Sequence, residues 1–153
     1  DKNFGENGLV ILNSGPLQDV CSSVAVSMAG DVIAAGFSKK SAVDTDFFVA
    51  RLKPDGQADS SFGKGGIVKT DFHAGIDVAH AVEIRKNGQI ILGGEASQRF
   101  ALARYSPEGH LLSSQSLLKP AGHAAAEGMT LDRGGRVVLV GHSHRELFVV
   151  TVP

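Results

Sequence analysis

The chain has 153 residues, of which 42% are hydrophobic and 20% are charged, a composition that suits one globular domain with a buried core. Fifteen basic and sixteen acidic residues leave a net charge of -1, which gives no electrostatic reason to expect nucleic acid or an anionic membrane as partner. The single cysteine excludes an internal disulfide and a cysteine-cage metal site. No apolar run reaches the ~18 residues of a membrane span, and no signal-peptide pattern opens the chain. Because the chain begins at Asp1 and not at a methionine, we expect a processed or excised piece of something longer.

Glycine is over-represented, with 19 residues, and the glycines separate short runs rich in β-branched residues. These runs are four to seven residues long, which is within the range of strands and too short for helices. The pattern predicts an all-β protein whose turns are marked by glycine. In chain order the predicted strands are residues 8–13, 22–28, 31–37, 47–53, 66–72, 79–85, 89–95, 100–105, 111–118, 126–131, 136–141 and 147–152.

The turn at Asn87-Gly88 separates two alternating runs. Asn-Gly in that position predicts a type I′ hairpin turn, which needs a positive φ at both central residues. The corresponding turns at Ala29-Gly30 and Gly134-Gly135 can make the same connection.

Internal repeats organise the whole chain. The segment Asp1 to Gly8 (D-K-N-F-G-E-N-G) recurs 58 positions later as Asp59 to Gly66 (D-S-S-F-G-K-G-G). A second string, A-R-L-K-P-D-G from Ala50, recurs 53 positions later as A-R-Y-S-P-E-G from Ala103. A third, weaker copy follows at a displacement of 47, without the F-G-x-x-G opening. Three units of roughly fifty residues, each with four strands, favour the blades of a β-propeller over a sandwich or a barrel.

The chain begins and ends one strand out of step with whole four-stranded units. The last unit has no fourth strand of its own, whereas residues 8–13 correspond to a fourth strand that lacks its first three. Propellers often close their ring in this way, with a terminal strand completing the blade formed by the other terminus. We therefore predict one propeller-type domain over residues 1–153, with a closing strand at 8–13 and blade units at about 19–72, 77–118 and 123–152.

Three motifs carry a family resemblance. The strings D-x-x-F-G-x-x-G, N-G-Q-I-I-L-G-G and F-A-L-A-R-Y-S-P-E-G resemble the delta-60 repeat, a bacterial repeat assigned to a β-propeller domain. The resemblance is close in the first two units and weaker in the third. It implies a propeller scaffold in large bacterial proteins that are often on the cell surface or secreted, and it supplies no catalytic residues.

Three blades alone leave two open edges, because propellers have about four to eight blades. Two copies of the chain could form a six-bladed ring around a two-fold axis, each giving residues 8–13 to the last blade of the other. Alternatively, the chain is cut from a longer propeller whose other blades are absent. We expect the homodimer, because each of its blades would then have four strands.

Several repeated residues are expected to be structural. Phe4 and Phe62 fit wedges between adjacent blades. Arg51 and Arg104 recur at the same strand end, where a charged bond to Asp1 or Asp59 could hold the corner. Cys21 lies among small residues of a first strand, which predicts a buried, inert thiol.

Function is expected on the face that carries the loops from fourth to first strands and from second to third strands. These loops collect most of the unusual polar residues, including four of the six histidines. The predicted ligand-binding residues are Asp19, His73, Asp77, Glu95, Arg99, His123, His142 and His144.

Two groups on this face have metal-ligand character. His142 and His144 have the two-residue spacing that points both rings to one side of a strand and could bind zinc or copper. Asp44 and Asp46 could ligate calcium, although the segment lacks the further oxygens that such a site needs. The favoured interpretation of both is an exposed polar loop, and we expect no metal and no cofactor.

Two classes of function remain open. The favoured one is a non-catalytic scaffold or recognition module that binds a glycan, peptide or protein through its loop face and central channel. The alternative is a hydrolase or lyase with His, Asp and Glu residues at the channel mouth, with or without a metal. No catalytic residue can be named, because the G-x-S-x-G, P-loop and dinucleotide motifs are absent.

Overall fold

The computed structural model describes residues 1–73, 75–117, 123–143 and 146–153. These residues contain eleven strands and no helix, so no helix in the described ranges could cross a membrane. The strands are β1 (Asp19–Val26), β2 (Val32–Ser41), β3 (Asp44–Leu52), β4 (Ile67–Thr70), β5 (Asp77–Ile84), β6 (Ile90–Ala96), β7 (Arg99–Tyr105), β8 (Leu111–Ser116), β9 (Ala124–Leu131), β10 (Val137–Ser143) and β11 (Glu146–Val152).

The strands form three antiparallel sheets in sequence order, which we call blades. Blade 1 is β1-β2-β3-β4, blade 2 is β5-β6-β7-β8, and blade 3 is β9-β10-β11. The registers repeat between blades, since Leu52, Tyr105 and Val152 occupy the same position opposite the second strand. The all-β, propeller-type architecture predicted from the sequence is confirmed. The predicted strand at residues 8–13 is wrong for the single chain, where these residues form no strand because no neighbouring strand pairs with them.

Two apolar cores lie between the blades. The first joins blades 1 and 2 and includes Phe47, Val49 and Tyr105, all fully buried. The second joins blades 2 and 3, where Phe100 packs edge-on against Phe148 with ring centroids 6.4 Å apart. Because strand side chains alternate between two faces, each blade contributes one face to each neighbouring junction.

A glycine at the same position of each second strand permits a bulge in the adjacent first strand. A Cβ added to Gly36 would lie 1.8 Å from the carbonyl oxygen of Val20, and one added to Gly94 would lie 2.0 Å from that of Val78. The register shifts close to both points. The repeated glycine is therefore needed for close backbone approach.

The hairpin turns differ from the type I′ turn predicted at Asn87-Gly88. Gly88 has a φ of 82°, but Asn87 is not among the residues with a positive φ, so the prediction was wrong. The Gly88 N–H donates to the Arg85 carbonyl at 2.9 Å, which fits a type I turn followed by a left-handed glycine. Two consecutive positive φ values occur instead at Ser97 and Gln98, between β6 and β7.

A corner built on Phe62 connects blade 1 to blade 2. Phe62 is fully buried, and the Arg51 guanidinium lies 4.9 Å from the centre of its ring. Arg51 also forms a 2.8 Å ion pair with Asp59 and donates to the carbonyl of Pro107 in the turn after β7. The predicted wedge and charged bond are confirmed at this corner.

Cys21 corrects another prediction, because it is exposed and not buried. It lies at the register shift between Cys21 and Ser23 in β1, and such a bulge changes which face a strand residue occupies. The sulfur atom is nevertheless partly buried and lies near the Asp19 carboxylate, and both effects raise the pKa of the thiol.

Candidate functional site on the loop face

The predicted binding residues lie at one end of the blades. Asp19 and Asp77 begin the first strands of blades 1 and 2, and His123 directly precedes β9. Glu95 and His142 lie near the ends of second strands, and Arg99 begins β7. His144 falls outside the described residues. We call this end the loop face.

Asp19 and Asp77 hold equivalent loops in place. One oxygen of Asp19 accepts the Ser14 N–H at 2.8 Å, and one oxygen of Asp77 accepts the Phe72 N–H at 2.8 Å. Burial works to raise the pKa of Asp19, but hydrogen bonds from Ser14 and Ser38 bring it below its usual value. Burial prevails at Asp77, where it raises the pKa to about 6.

Asp77 belongs to an acidic cluster at the junction of blades 1 and 2. One oxygen from each of Asp46, Asp71 and Asp77 lies within 4.8 Å of the others. Lys40 lies on the cluster, with its ammonium nitrogen 2.9 Å from Asp71 and 3.3 Å from Asp46. Burial raises the pKa of Asp46, whereas the hydrogen bond from Lys40 lowers that of Asp71.

A second polar pair lies at the junction of blades 2 and 3. His123 Nε2 is 2.9 Å from Glu95 Oε2, and the Glu95 side chain is largely buried while that of His123 is half exposed. Protonation of His123 would make this contact an ion pair. Arg99, at the start of β7, is exposed.

The two remaining described histidines of the predicted set, His142 and His73, make other local contacts. His142 Nδ1 is 3.5 Å from a Glu127 oxygen on the same blade. His73 is exposed, has a φ of 92°, and donates its backbone N–H to Asp71. The predicted residues therefore share a face but form separate local pairs, and among the described residues they do not converge on one reaction centre.

Two grooves at blade junctions were not expected, because they lie at the opposite end of the blades from the loop face. A cleft of about 370 Å³ between blades 1 and 2 is lined in part by Arg51, Arg85 and Ile33. A second groove, of about 540 Å³, runs beside Arg85 and Arg133 between blades 2 and 3. Both are lined by the short turns between the first and second strands of adjacent blades.

Comparison with known proteins agrees with the blade architecture. A family model described as a β-propeller domain of unknown function (DUF5122) matches residues 30–62 and 85–111. These two stretches cover equivalent parts of blades 1 and 2, and together make up roughly two fifths of the chain. No curated protein matches the chain. The chain thus carries repeats of a β-propeller type, and its likeness to this family assigns no activity.

Proposed function

We propose that the chain is a non-catalytic propeller module of the bacterial delta-60 type, completed to a six-bladed ring by a second copy. Its loop face then recognises a peptide, protein or glycan partner. The observation that carries the proposal is a contrast between equivalent residues. Val82 is 6% exposed at the junction of blades 1 and 2, whereas its counterpart Val24, on the outer face of blade 1, is 64% exposed.

The same contrast holds at the other end of the chain. Val49 of β3 is fully buried against blade 2, whereas its counterpart Val149 of β11 is 70% exposed. Leu147 on the same face of blade 3 is 90% exposed. The outer faces of blades 1 and 3, which we call the end faces, are therefore apolar, like the faces that form the cores between adjacent blades.

Two contacts support the proposal that the N-terminal ribbon, residues 8–13, is the fourth strand of a preceding blade. The Gly5 N–H donates to the Asp55 carbonyl at 2.8 Å, just as the Gly63 N–H donates to the Glu108 carbonyl at 3.0 Å. A Cβ added to Gly56 would lie 2.9 Å from a methyl carbon of Val10. These contacts hold the segment against blade 1, although residues 8–13 form no strand within the single chain and Leu9 makes an isolated bridge with Glu6.

The ribbon and β11 complement each other. Within the described residues, β11 has no neighbour on its outer edge, whereas β3 and β7 pair there with β4 and β8. In blade 1, Val49 lies opposite Val68. The repeat therefore predicts that Val149 lies opposite Val10 of a second copy, with both side chains toward blade 1 of that copy. Two such junctions, related by a two-fold axis, cover both end faces at once.

Disulfide crosslinking tests this register directly. In a Cys21→Ser background, Val10→Cys combined with Val149→Cys should give a dimer on a non-reducing gel, because directly opposed strand residues have Cβ atoms about 4.5–5.5 Å apart. The matched control pairs Val10→Cys with Val150→Cys, whose side chain lies on the other face of the strand. A crosslink within one chain, or equal dimer yields from both pairs, would contradict the proposal.

The polar groups gathered on the loop face support recognition there. They form separate local pairs, an arrangement that suits binding more than concerted catalysis. Amide NMR titration with panels of short peptides and oligosaccharides tests it. We expect shifts at Arg99, His123 and their neighbours on the loop face. Shifts confined to the cleft around Arg85, on the opposite end, would move the binding site there and refute this part of the proposal.

A further inference from the structure

The acidic cluster on the loop face differs from an ordinary surface group of carboxylates because two of its members are buried. Asp77 is 0% exposed and Asp46 is 6% exposed, whereas Asp71 faces solvent. Each comes from a different segment: Asp46 from β3 of blade 1, Asp71 from the chain just after β4, and Asp77 from the start of β5 of blade 2. Buried carboxylates normally have partners that compensate for lost hydration.

The equivalent position in blade 1 shows what Asp77 lacks. The second oxygen of Asp19 accepts a 2.6 Å hydrogen bond from the Ser14 hydroxyl, which also contacts the Ser38 hydroxyl. Apolar residues replace both serines in blade 2, Phe72 at the position of Ser14 and Ala96 at that of Ser38. Asp77 Oδ1 is consequently buried with no hydrogen-bond partner among the described residues.

The backbone around the cluster is firmly held. The Thr45 hydroxyl donates to the Asp77 carbonyl at 2.8 Å and accepts the Asp77 N–H at 2.9 Å. Thr45 also forms a parallel bridge with Ile76. The positions of Asp46 and Asp77 are therefore coupled, so a site between them is prepared before any ligand arrives.

Lys40 neutralises only part of this charge. Its ammonium reaches Asp44, Asp46 and Asp71, at 3.5, 3.3 and 2.9 Å, but no ion pair joins it to Asp77 among the described contacts. The Lys40 side chain is 41% exposed, so it can swing into solvent. Asp44, Asp46 and Asp71 thus share one ammonium, and Asp77 is left without a cation among the described contacts.

We propose that Asp46, Asp71 and Asp77 form a divalent-cation site, selective for Ca²⁺ over Mg²⁺, that ties blade 1 to blade 2 at the loop face. The oxygens of the cluster lie within 4.8 Å of one another, so one Ca²⁺, with carboxylate oxygens at about 2.4 Å, can reach all three. Three carboxylates in one site suit Ca²⁺ more than Mg²⁺, which is usually bound by one or two carboxylates and keeps several waters. Water supplies the remaining ligands through the open side at Asp71.

Calorimetric titration with CaCl₂ and with MgCl₂, and thermal unfolding in CaCl₂ against EDTA, test the site. We expect one Ca²⁺ per chain, a higher Tm with Ca²⁺, and at least tenfold weaker binding of Mg²⁺. Asp77→Asn and Asp46→Asn should each weaken Ca²⁺ binding at least tenfold, while Lys40→Met, which removes the competing ammonium, should tighten it.

Asp19→Asn is the matched control, because it changes the equivalent residue of blade 1 outside the cluster and should leave Ca²⁺ affinity unchanged. If Asp77→Asn does not fold, the exposed Asp71→Asn replaces it with the same expectation. The proposal is overturned if neither the wild type nor Lys40→Met responds to about 10 mM CaCl₂, a concentration above the ~10⁻³ M affinity of weak extracellular sites. It is also overturned if binding is the same in the cluster variants, which would mean an adventitious ion only.

Discussion

Replacement of Phe62 by alanine tests whether the repeated F-G corner is a wedge between blades. Phe62 is fully buried, its ring lies under the Arg51 guanidinium at 4.9 Å, and Gly109 of blade 2 leaves no room for a side chain of its own beside it. A buried Phe→Ala change costs about 3–5 kcal/mol, and loss of the cation–π contact adds about 0.5–1 kcal/mol. Because the long Arg51 side chain can collapse into part of the space, we expect a loss of about 3–4 kcal/mol.

Urea unfolding followed by circular dichroism measures this loss, with an unchanged m-value showing that both variants unfold from the same native state. Phe4→Ala is the control, since Phe4 holds the same place in the N-terminal repeat but is only half-buried in the single chain. If a second copy closes the ring, the effect of Phe4→Ala should grow with protein concentration. A loss below about 1 kcal/mol for Phe62→Ala would refute the wedge.

Two further substitutions probe the blades. Gly94→Ala should strongly lower the Tm of thermal unfolding, because the added Cβ would lie 2.0 Å from the Val78 carbonyl oxygen. Gly15→Ala is the control and should be tolerated, because its Cβ would meet only the flexible tip of a lysine at 3.5 Å. Similar Tm values for the two variants would contradict the close approach. Hydrogen bonds from Ser61 hold the pKa of Asp59 below its usual value, so its stabilising contribution is present near neutral pH and is lost as the pH falls through that lowered pKa. Asp59→Asn should therefore be less stable than the wild type near pH 7, and the difference should shrink as the pH falls and Asp59 becomes protonated. A difference that stays constant as the solution is made acidic would refute the linkage.

Most of the fold could be predicted from local signals. Glycine-marked turns and the displaced copies of the F-G and Pro-x-Gly strings located all eleven strands, although the observed bounds differ by a few residues. The twelfth predicted strand, at residues 8–13, does not form in the single chain. Blade 2 has no F-G corner, and the strand registers show where that segment is missing. Ser114 pairs with Ala103 at the position where Ile67 pairs with Ala50 in blade 1. The connection between β7 and β8 has simply lost that segment.

The site could be predicted only in part, because its important contacts join segments far apart in sequence. Asp77 and Asp46 could be singled out from the sequence, but nothing in it places Asp71 beside them. Nor does the sequence show that Phe72 leaves Asp77 Oδ1 without a partner. The signal was nevertheless present. The change from Ser14 to Phe72 at one repeat position removes a hydroxyl beside a retained aspartate, and such a loss points to a new role for the carboxylate. Cys21 was misplaced for a different reason, since a bulge reverses which face a strand residue occupies.

The mass of the protein in solution tests the central claim most directly. Light scattering during size-exclusion chromatography, over a wide range of concentrations, should give about 32 kDa, which is twice the 15.9 kDa of one chain, because two copies cover the end faces that expose Val24 and Val149. A mass of one chain at every concentration, with those faces open to water, would contradict it.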